Sequence, residues 1–198
     1  MCREYDNNPF VWGITGGIGS GKSYVCRKLS ERGWPVFYCD DEAKRLIRHD
    51  AKLKQQLVAL VGAELYGADG ELNKAVMAAF LCRGTHYASL VDSVVHPCVA
   101  EAFLLWKHKQ KNPMVVMECA LLFEAGFDSL VDRSVHVAVS HATQLRRVME
   151  RDGVTEGQAE AWMALQMPEE EKRRRADVVL YNDGDGLTED ELVRIFGH

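Results

Sequence analysis

Apolar residues along this chain gather in short unbroken runs, separated by longer stretches with helical spacing or dense charge. Residues 10–15 form the first run, which reads as a buried strand. A glycine-rich turn follows, then a helical pattern over about residues 22–32, which Gly33 is placed to end. Residues 35–38 read as a second strand. From residue 41 to about 110 the pattern is mostly helical: Leu53, Leu57, Leu60 and Val61 recur on one face, and Gly67 to Gly70 mark a turn. Pro97 is expected at a break or in a helix's first turn. Residues 115–118 and 134–139 are the third and fourth strands. Charged, helical sequence then runs over about 142–175, a fifth strand covers 178–181, and a closing helix covers 188–196. Strands alternating with helices predict an α/β fold on a parallel sheet with right-handed crossovers.

The 198 residues suit one α/β core with inserted subdomains. A net charge of −5 points away from nucleic acid or a membrane surface as a partner. The six cysteines include no C-x-x-C pair, so they read as small apolar residues of a reducing compartment rather than as zinc ligands. The first ten residues lack the apolar stretch of a signal peptide, and no apolar run approaches membrane-spanning length. The expectation is a soluble, cytoplasmic protein.

The turn after the first strand changes the picture most. Gly16-Gly17-Ile18-Gly19-Ser20-Gly21-Lys22-Ser23 matches G-x-x-x-x-G-K-S, between a strand and a helix as that motif requires. Glycines let the backbone wrap closely around phosphate oxygens, while the amides and the helix N-terminus attract the anion. Lys22 is expected on the β- and γ-phosphates and the Ser23 hydroxyl on Mg²⁺. The motif specifies a nucleoside triphosphate, not a reaction. Neither a guanine-reading N-K-x-D segment nor an L-S-G-G-Q signature is present, which argues against a GTPase and a transporter ATPase. A small-molecule kinase needs an acidic residue near its acceptor and a basic lid. Asp40 and Asp41 follow the second strand, and Arg146, Arg147, Arg151 and Arg173 to Arg175 flank the helical segment 159–167.

With these pieces in place, nearly the whole chain resembles the dephospho-coenzyme A kinases. The resemblance rests on Gly13 to Ser23, Asp40 with Ala43, Asp69-Gly70, His96-Pro97, Leu121 to Glu124, Gln144 with Arg147 and Arg151, Gln166, and Ala176-Asp177 with Asn182. It implies a P-loop kinase core with a parallel five-stranded sheet (residues 10–40, 112–145 and 176–198), a helical CoA-binding insertion over about 41–111 and a helical lid over about 146–175. It implies ATP as phosphoryl donor, Mg²⁺, and dephospho-CoA as acceptor. Gly17, Gly19, Ser20, Gly21, Lys22, Ser23, Tyr24 and Asn182 are the expected nucleotide-binding residues. Lys22, Asp40, Arg147 and Arg151 are the expected catalytic set. Asp40, His96, Phe123 and Glu124 are expected to face the acceptor. The chain departs from the family at three places. Tyr38 stands where the family has the first Asp of Asp-x-Asp, leaving Asp40 as the matching carboxylate. Ala120 replaces a proline, and Tyr24 replaces a threonine while still supplying a backbone N–H.

Each assignment has a plainer rival. Asp40 either serves the reaction or only caps the helix after it. Glu118 ends an apolar strand, where an acid is costly unless paired or linked to the metal. His96 is either a structural histidine or a substrate contact, and Phe123 and Glu124 either face the substrate or merely begin a helix. The run Lys172 to Arg175 reads as a solvated helix face, with at least one lid arginine, led by Arg147 and Arg151, expected on the phosphates; Trp162 and Met163 read as packing rather than ligand contacts. Two other functions remain open at this point: a different small-molecule P-loop kinase acting on a nucleoside or nucleotide, and a non-catalytic nucleotide-binding switch.

Overall fold

The computed structural model describes residues 8–184 and 189–197; Cys2 and Thr188 lie outside the described residues. Five strands form one sheet in the order β2-β3-β1-β4-β5: β1 (Phe10–Thr15), β2 (Val36–Tyr38), β3 (Met114–Glu118), β4 (Arg133–Ala138) and β5 (Val178–Tyr181). The pairs β1–β3, β1–β4 and β4–β5 are parallel, with Ile14 opposite Glu118 and Thr15 opposite His136. Every residue of β1 after Phe10 is buried. A central parallel strand covered on both faces demands such an unbroken apolar run, which is why the strands are easy to find in the sequence. The chain leaves β1 toward β2 and β3 on one side and returns to β4 and β5 on the other. The carboxyl end of β1 is therefore the topological switch point, where open α/β sheets bind ligands.

The chain divides into two compact units. One comprises the described residues up to Phe37 together with those from Gln110 onward; the other is Tyr38–Lys109. The first holds the sheet with α1 (Lys22–Glu31), α6 (His141–Asp152), α7 (Glu156–Met163), α8 (Glu169–Arg175) and α9 (Glu189–Phe196). Gly33 ends the α1 region with φ 83°, as expected. The Ser140 side chain caps α6 by accepting from Thr143 N–H, and Thr155 with Gln158 forms a reciprocal capping box on α7.

The second unit contains α2 (Cys39–His49), α3 (Ala51–Val61), α4 (Lys74–Leu81) and α5 (Thr85–His108). Gly70 N–H bonds to Gly67 C=O at 2.9 Å, closing the expected turn. Pro97 departs from expectation by sitting inside α5, at neither a break nor a first turn. It has no amide for the carbonyl four residues earlier, a loss of about 3 kcal/mol in an isolated helix. Packing outweighs it: Val91, Val95, Val99 and Phe103 are buried on one stripe, each worth roughly 1.5–3 kcal/mol. α5 also revises the reading of apolar run length. At 24 residues it is long and apolar enough to cross a membrane by length and composition. Scattered His, Asp and Glu residues interrupt the run in sequence without stopping the helix, and the stripe packs against α2, α3 and α4.

One carboxylate ties β4 to the chain entering β5. Asp177 Oδ2 accepts from the Ser134 N–H at 2.7 Å and from the Ser134 hydroxyl at 2.8 Å. These two bonds, the backbone one foremost, hold the Asp177 carboxyl below its usual range. Asp177→Ala should destabilise the fold by about 1–3 kcal/mol at neutral pH, because the buried Ser134 N–H loses its acceptor. A lowered folded-state pKa means the contribution is complete above the unfolded value of about 3.9 and fades as pH falls through the folded one. Urea unfolding of both proteins at pH 7 and near pH 3 checks this; an equal difference at the two pH values would contradict it.

Candidate active site

The loop between β1 and α1 folds as its glycines dictate. Gly21 precedes α1 with φ 95°, in the left-handed region, and a Cβ there would strike Asn182 Nδ2. At Gly17 a Cβ would collide with Gln144 Nε2 and Glu169 Oε1, so two side chains from outside the loop press directly on its backbone. Lys22 Nζ donates to the carbonyls of Gly16 (2.9 Å) and Gly17 (3.1 Å), which places the ammonium at the loop's centre. Ser23 is exposed on the first turn of α1. The Tyr24 N–H bonds to Gly21 C=O at 3.0 Å, and the cations of Arg27 and Lys28 lie 5.9 Å from the Tyr24 ring centroid.

Distant residues lock this loop. Asn182 Nδ2 donates to the Ser20 carbonyl at 2.9 Å, and Arg147 bridges the Ser20 and Asn182 carbonyls at 3.4 and 3.0 Å. Ile18 is held on both sides: its N–H donates to Gln166 Oε1 at 2.8 Å, and its carbonyl accepts from Gln144 Nε2 at 2.8 Å. Ser20 is almost fully buried, with no hydrogen-bond partner for its hydroxyl. Glu118, at the end of β3, is 5% exposed. Glu118 and Lys22 both act on the Cys26 thiol, which burial first and Glu118 second drive far above its ordinary pKa.

A buried charged cluster stands beside the loop. His136, on β4, is fully buried with Nε2 2.9 Å from Glu169 Oε2, close enough for an ion pair but without hydrogen-bond geometry. Lys172, on α8, is also fully buried, with Nζ 3.9 Å from Glu124 Oε1 and 4.0 Å from Glu169 Oε1. Burial pushes the Lys172 pKa down; the two glutamates pull it back, Lys22 lowers it further, and the net shift is downward. For Glu169 burial raises the pKa, but His136, Lys172 and Arg173 outweigh it and hold the carboxyl low. Glu124 also accepts from the Met167 N–H at 3.0 Å, so this turn residue ties β3's exit to the segment before α8.

The core unit thus brings together Gly17, Gly19, Ser20, Gly21, Lys22, Ser23, Arg147 and Asn182. Arg151 is placed differently: its guanidinium is mostly exposed and pairs with Asp152 at 2.7 Å. Phe123 is buried beneath the Arg175 guanidinium, 4.7 Å from the ring centroid. Phe123 and Glu124 lie in a run of turns, not at a helix start. In the other unit, Asp40 is exposed in the first turn of α2, and His96 lies on α5 with Nε2 3.6 Å from Asp92. The expectation of a solvated face for the run 172–175 fails at its first member, since Lys172 is sealed from solvent. His136, Glu169 and Lys172 escaped the sequence reading: a histidine in an apolar strand and one lysine among four consecutive basic residues carry no distinguishing spacing.

Oxygen donors suit a hard cation such as Mg²⁺. Ser23 and Glu118 offer a hydroxyl and a carboxylate, and among the described residues no group of three or more His, Cys, Asp or Glu forms a cage made by protein alone. That donor set fits an ion held largely by substrate phosphates.

Comparison with known proteins agrees with this geometry. The family model described as dephospho-CoA kinase matches residues 10–188. A dephospho-CoA kinase from Salinibacter ruber is 42% identical over 175 residues, covering 87% of this chain and 88% of that protein. One from Geobacillus kaustophilus is 37% identical, covering 87% of each. Among solved structures, TT1252 from Thermus thermophilus superposes with a TM-score of 0.78 at 34% identity, over 90% of this chain and 91% of that one. Dephospho-CoA kinase from Campylobacter jejuni shares the fold at 18% identity, with a TM-score of 0.66 over 94% of each chain. A phosphate loop at the switch point of a 2-3-1-4-5 sheet, in a chain matched from its first strand almost to its last helix, makes this protein a member of the dephospho-CoA kinase family.

Proposed function

We propose that the protein transfers the γ-phosphoryl group of ATP to the ribose 3′-hydroxyl of dephospho-CoA, giving ADP and CoA, the last step of coenzyme A biosynthesis. The observation that carries this reading is the complete phosphate loop, with Lys22 at its centre, in a chain of that family. The 3′-oxygen forms a bond to the γ-phosphorus, the bond from that phosphorus to the β–γ bridging oxygen breaks, and the hydroxyl proton leaves through Asp40. Catalysis is mostly positioning and charge neutralisation.

Loop amides from Gly17 to Tyr24 bind the phosphates. Lys22 exchanges its two carbonyl acceptors for β- and γ-oxygens. Arg147 and Asn182 hold the Ser20 carbonyl and so keep the loop shaped for the nucleotide. Ser23 and Glu118 are the residues that would hold Mg²⁺, whose chemistry here is to offset the negative charge of the phosphates. Arg151 must give up Asp152 before it can reach the nucleotide. Asp40 orients the accepting hydroxyl, while His96, Phe123 and Glu124 belong to the acceptor side. The acceptor-binding insertion corresponds to about residues 41–111 and the lid to about 146–175. The cytoplasm is the compartment this reading implies, and the free thiols of Cys26, Cys39, Cys82, Cys98 and Cys119 suit a reducing one.

Incubation with Mg·ATP and a panel of acceptors tests the assignment. ADP release is expected with dephospho-CoA and not with nucleosides, nucleoside monophosphates or shikimate. Release with one of those instead would replace the acceptor, and triphosphate binding without turnover on any acceptor would favour a nucleotide switch.

A further inference from the structure

The lid contains a buried cation with no hydrogen-bond acceptor. Lys172 has no exposed surface, and its ammonium makes no hydrogen bond. The nearest carboxylate oxygens, of Glu124 and Glu169, stand 3.9 and 4.0 Å away, beyond bonding reach. An ammonium carries three donors, and burying it without acceptors is among the costlier arrangements in a protein. The other cations of α8 each hold a carboxylate at bonding distance: Arg173 reaches Glu170 at 3.3 Å, though its Nε is buried without an acceptor, Arg174 reaches Glu171 at 2.8 Å and Arg175 reaches Asp128 at 3.0 Å.

The surroundings indicate what the missing acceptor is. Glu169 presses Oε1 against Gly17, whose carbonyl holds Lys22 Nζ at 3.1 Å. The Lys172–Glu169 pair therefore flanks the part of the loop where the motif's lysine meets the β- and γ-phosphates. The Lys22 charge also acts on Lys172, adding to the burial that lowers its pKa.

We propose that Lys172 is the lid cation that binds the terminal phosphate of the nucleotide, turning from Glu124 and Glu169 to take the phosphate oxygens as its acceptors. The proposal rests on the reading of the loop as an ATP site and deepens it: the phosphate-gripping side chain of the lid is the buried lysine, not the exposed Arg151. A phosphate oxygen supplies the charge-assisted hydrogen bonds the ammonium lacks. The ammonium makes no hydrogen bond, and both flanking glutamates keep another contact, Glu124 with the Met167 N–H at 3.0 Å and Glu169 with His136 Nε2 at 2.9 Å, so an apolar residue of similar length removes the cost of burying the cation without leaving either carboxylate bare. Structural and phosphate-binding roles consequently predict opposite behaviour for an isosteric apolar variant.

Lys172→Met is the variant to make. Thermal unfolding without nucleotide should match or exceed wild type. Turnover with Mg·ATP and dephospho-CoA should fall on the order of 10- to 100-fold, the worth of one or two lost hydrogen bonds from a charged donor. The preference for a non-hydrolysable triphosphate analogue over ADP, measured by calorimetry on each alone, should fall by a similar factor, and Lys172→Arg should recover part of both. Turnover within about threefold of wild type with an unchanged analogue-to-ADP ratio would overturn the proposal. A variant that loses thermal stability while keeping that ratio would also overturn it, by showing a purely structural role. If Lys172→Met does not fold, Lys172→Gln undergoes the same measurements. The binding arm needs no acceptor, so wild-type inactivity on dephospho-CoA would remove the acceptor assignment and leave this test intact.

Discussion

Lys22→Ala is expected to lower turnover on the order of 100-fold or more, a few kcal/mol of transition-state stabilisation, while leaving the fold intact. Its ammonium is the charge nearest the heart of the loop, bonded at 2.9 and 3.1 Å to two loop carbonyls. Those carbonyls are partly buried, so their loss of a donor should cost no more than about 1–3 kcal/mol of stability. Catalysis should suffer more, because negative charge redistributes over the phosphoryl oxygens as transfer proceeds and Lys22 is placed to offset it. Steady-state kinetics and thermal unfolding of the same preparation separate the two effects. Wild-type turnover from a folded Lys22→Ala protein would refute the phosphate-site assignment itself.

The second large effect is expected at Asp40. On the proposed reading, with Tyr38 where the family pattern has its first aspartate, Asp40 is the carboxylate that aligns the 3′-hydroxyl and takes its proton late in transfer. Such assistance is typically worth about 100- to 10,000-fold, and Asp40→Asn should reduce kcat within that range. Asp41 is committed elsewhere: it pairs with Lys44 at 3.0 Å on the exposed face of α2. Adjacent helical residues diverge by about 100°, so Asp41→Asn should change turnover by less than about tenfold. Tyr38→Phe should matter less than Asp40→Asn, because a phenol with a pKa of about 10 is a poor base at neutral pH. The three variants measured side by side decide the matter; if Asp41→Asn or Tyr38→Phe is the most damaging, the proton passes elsewhere.

Much of this architecture was legible in the chain because the strands of the sheet are continuous apolar runs with nothing else to be. β3, β4 and β5 begin and end within a residue of where the runs do, and the glycine pattern announced the loop. Three features stayed hidden, each for a physical reason. Pro97 reads as a helix breaker, yet the buried valine stripe of α5 outweighs one missing backbone bond. Lys172 looks like its three basic neighbours; only the docking of α8 beside β4 distinguishes the member that faces inward. The paired grip of Gln144 and Gln166 on Ile18 joins residues 126 and 148 positions apart, a relation with no local periodicity.

The bond from Asn182 to Ser20 spans 162 positions, nearly the full length of the chain. Closing a contact so remote in sequence costs somewhat more entropy than closing a short loop and is expected after the shorter loops have formed. A ribosome must have released the chain through Asn182 before the nucleotide site can acquire its final shape. ATP is therefore absent as a helper during the early steps, when β1 must wait for partners more than a hundred residues downstream. Once β5 has docked, nucleotide binds only the finished state and draws the equilibrium toward it by mass action. In a cell, the supply of ATP would then govern how long the completed enzyme survives unfolding and proteolysis, with little influence on how quickly it is made.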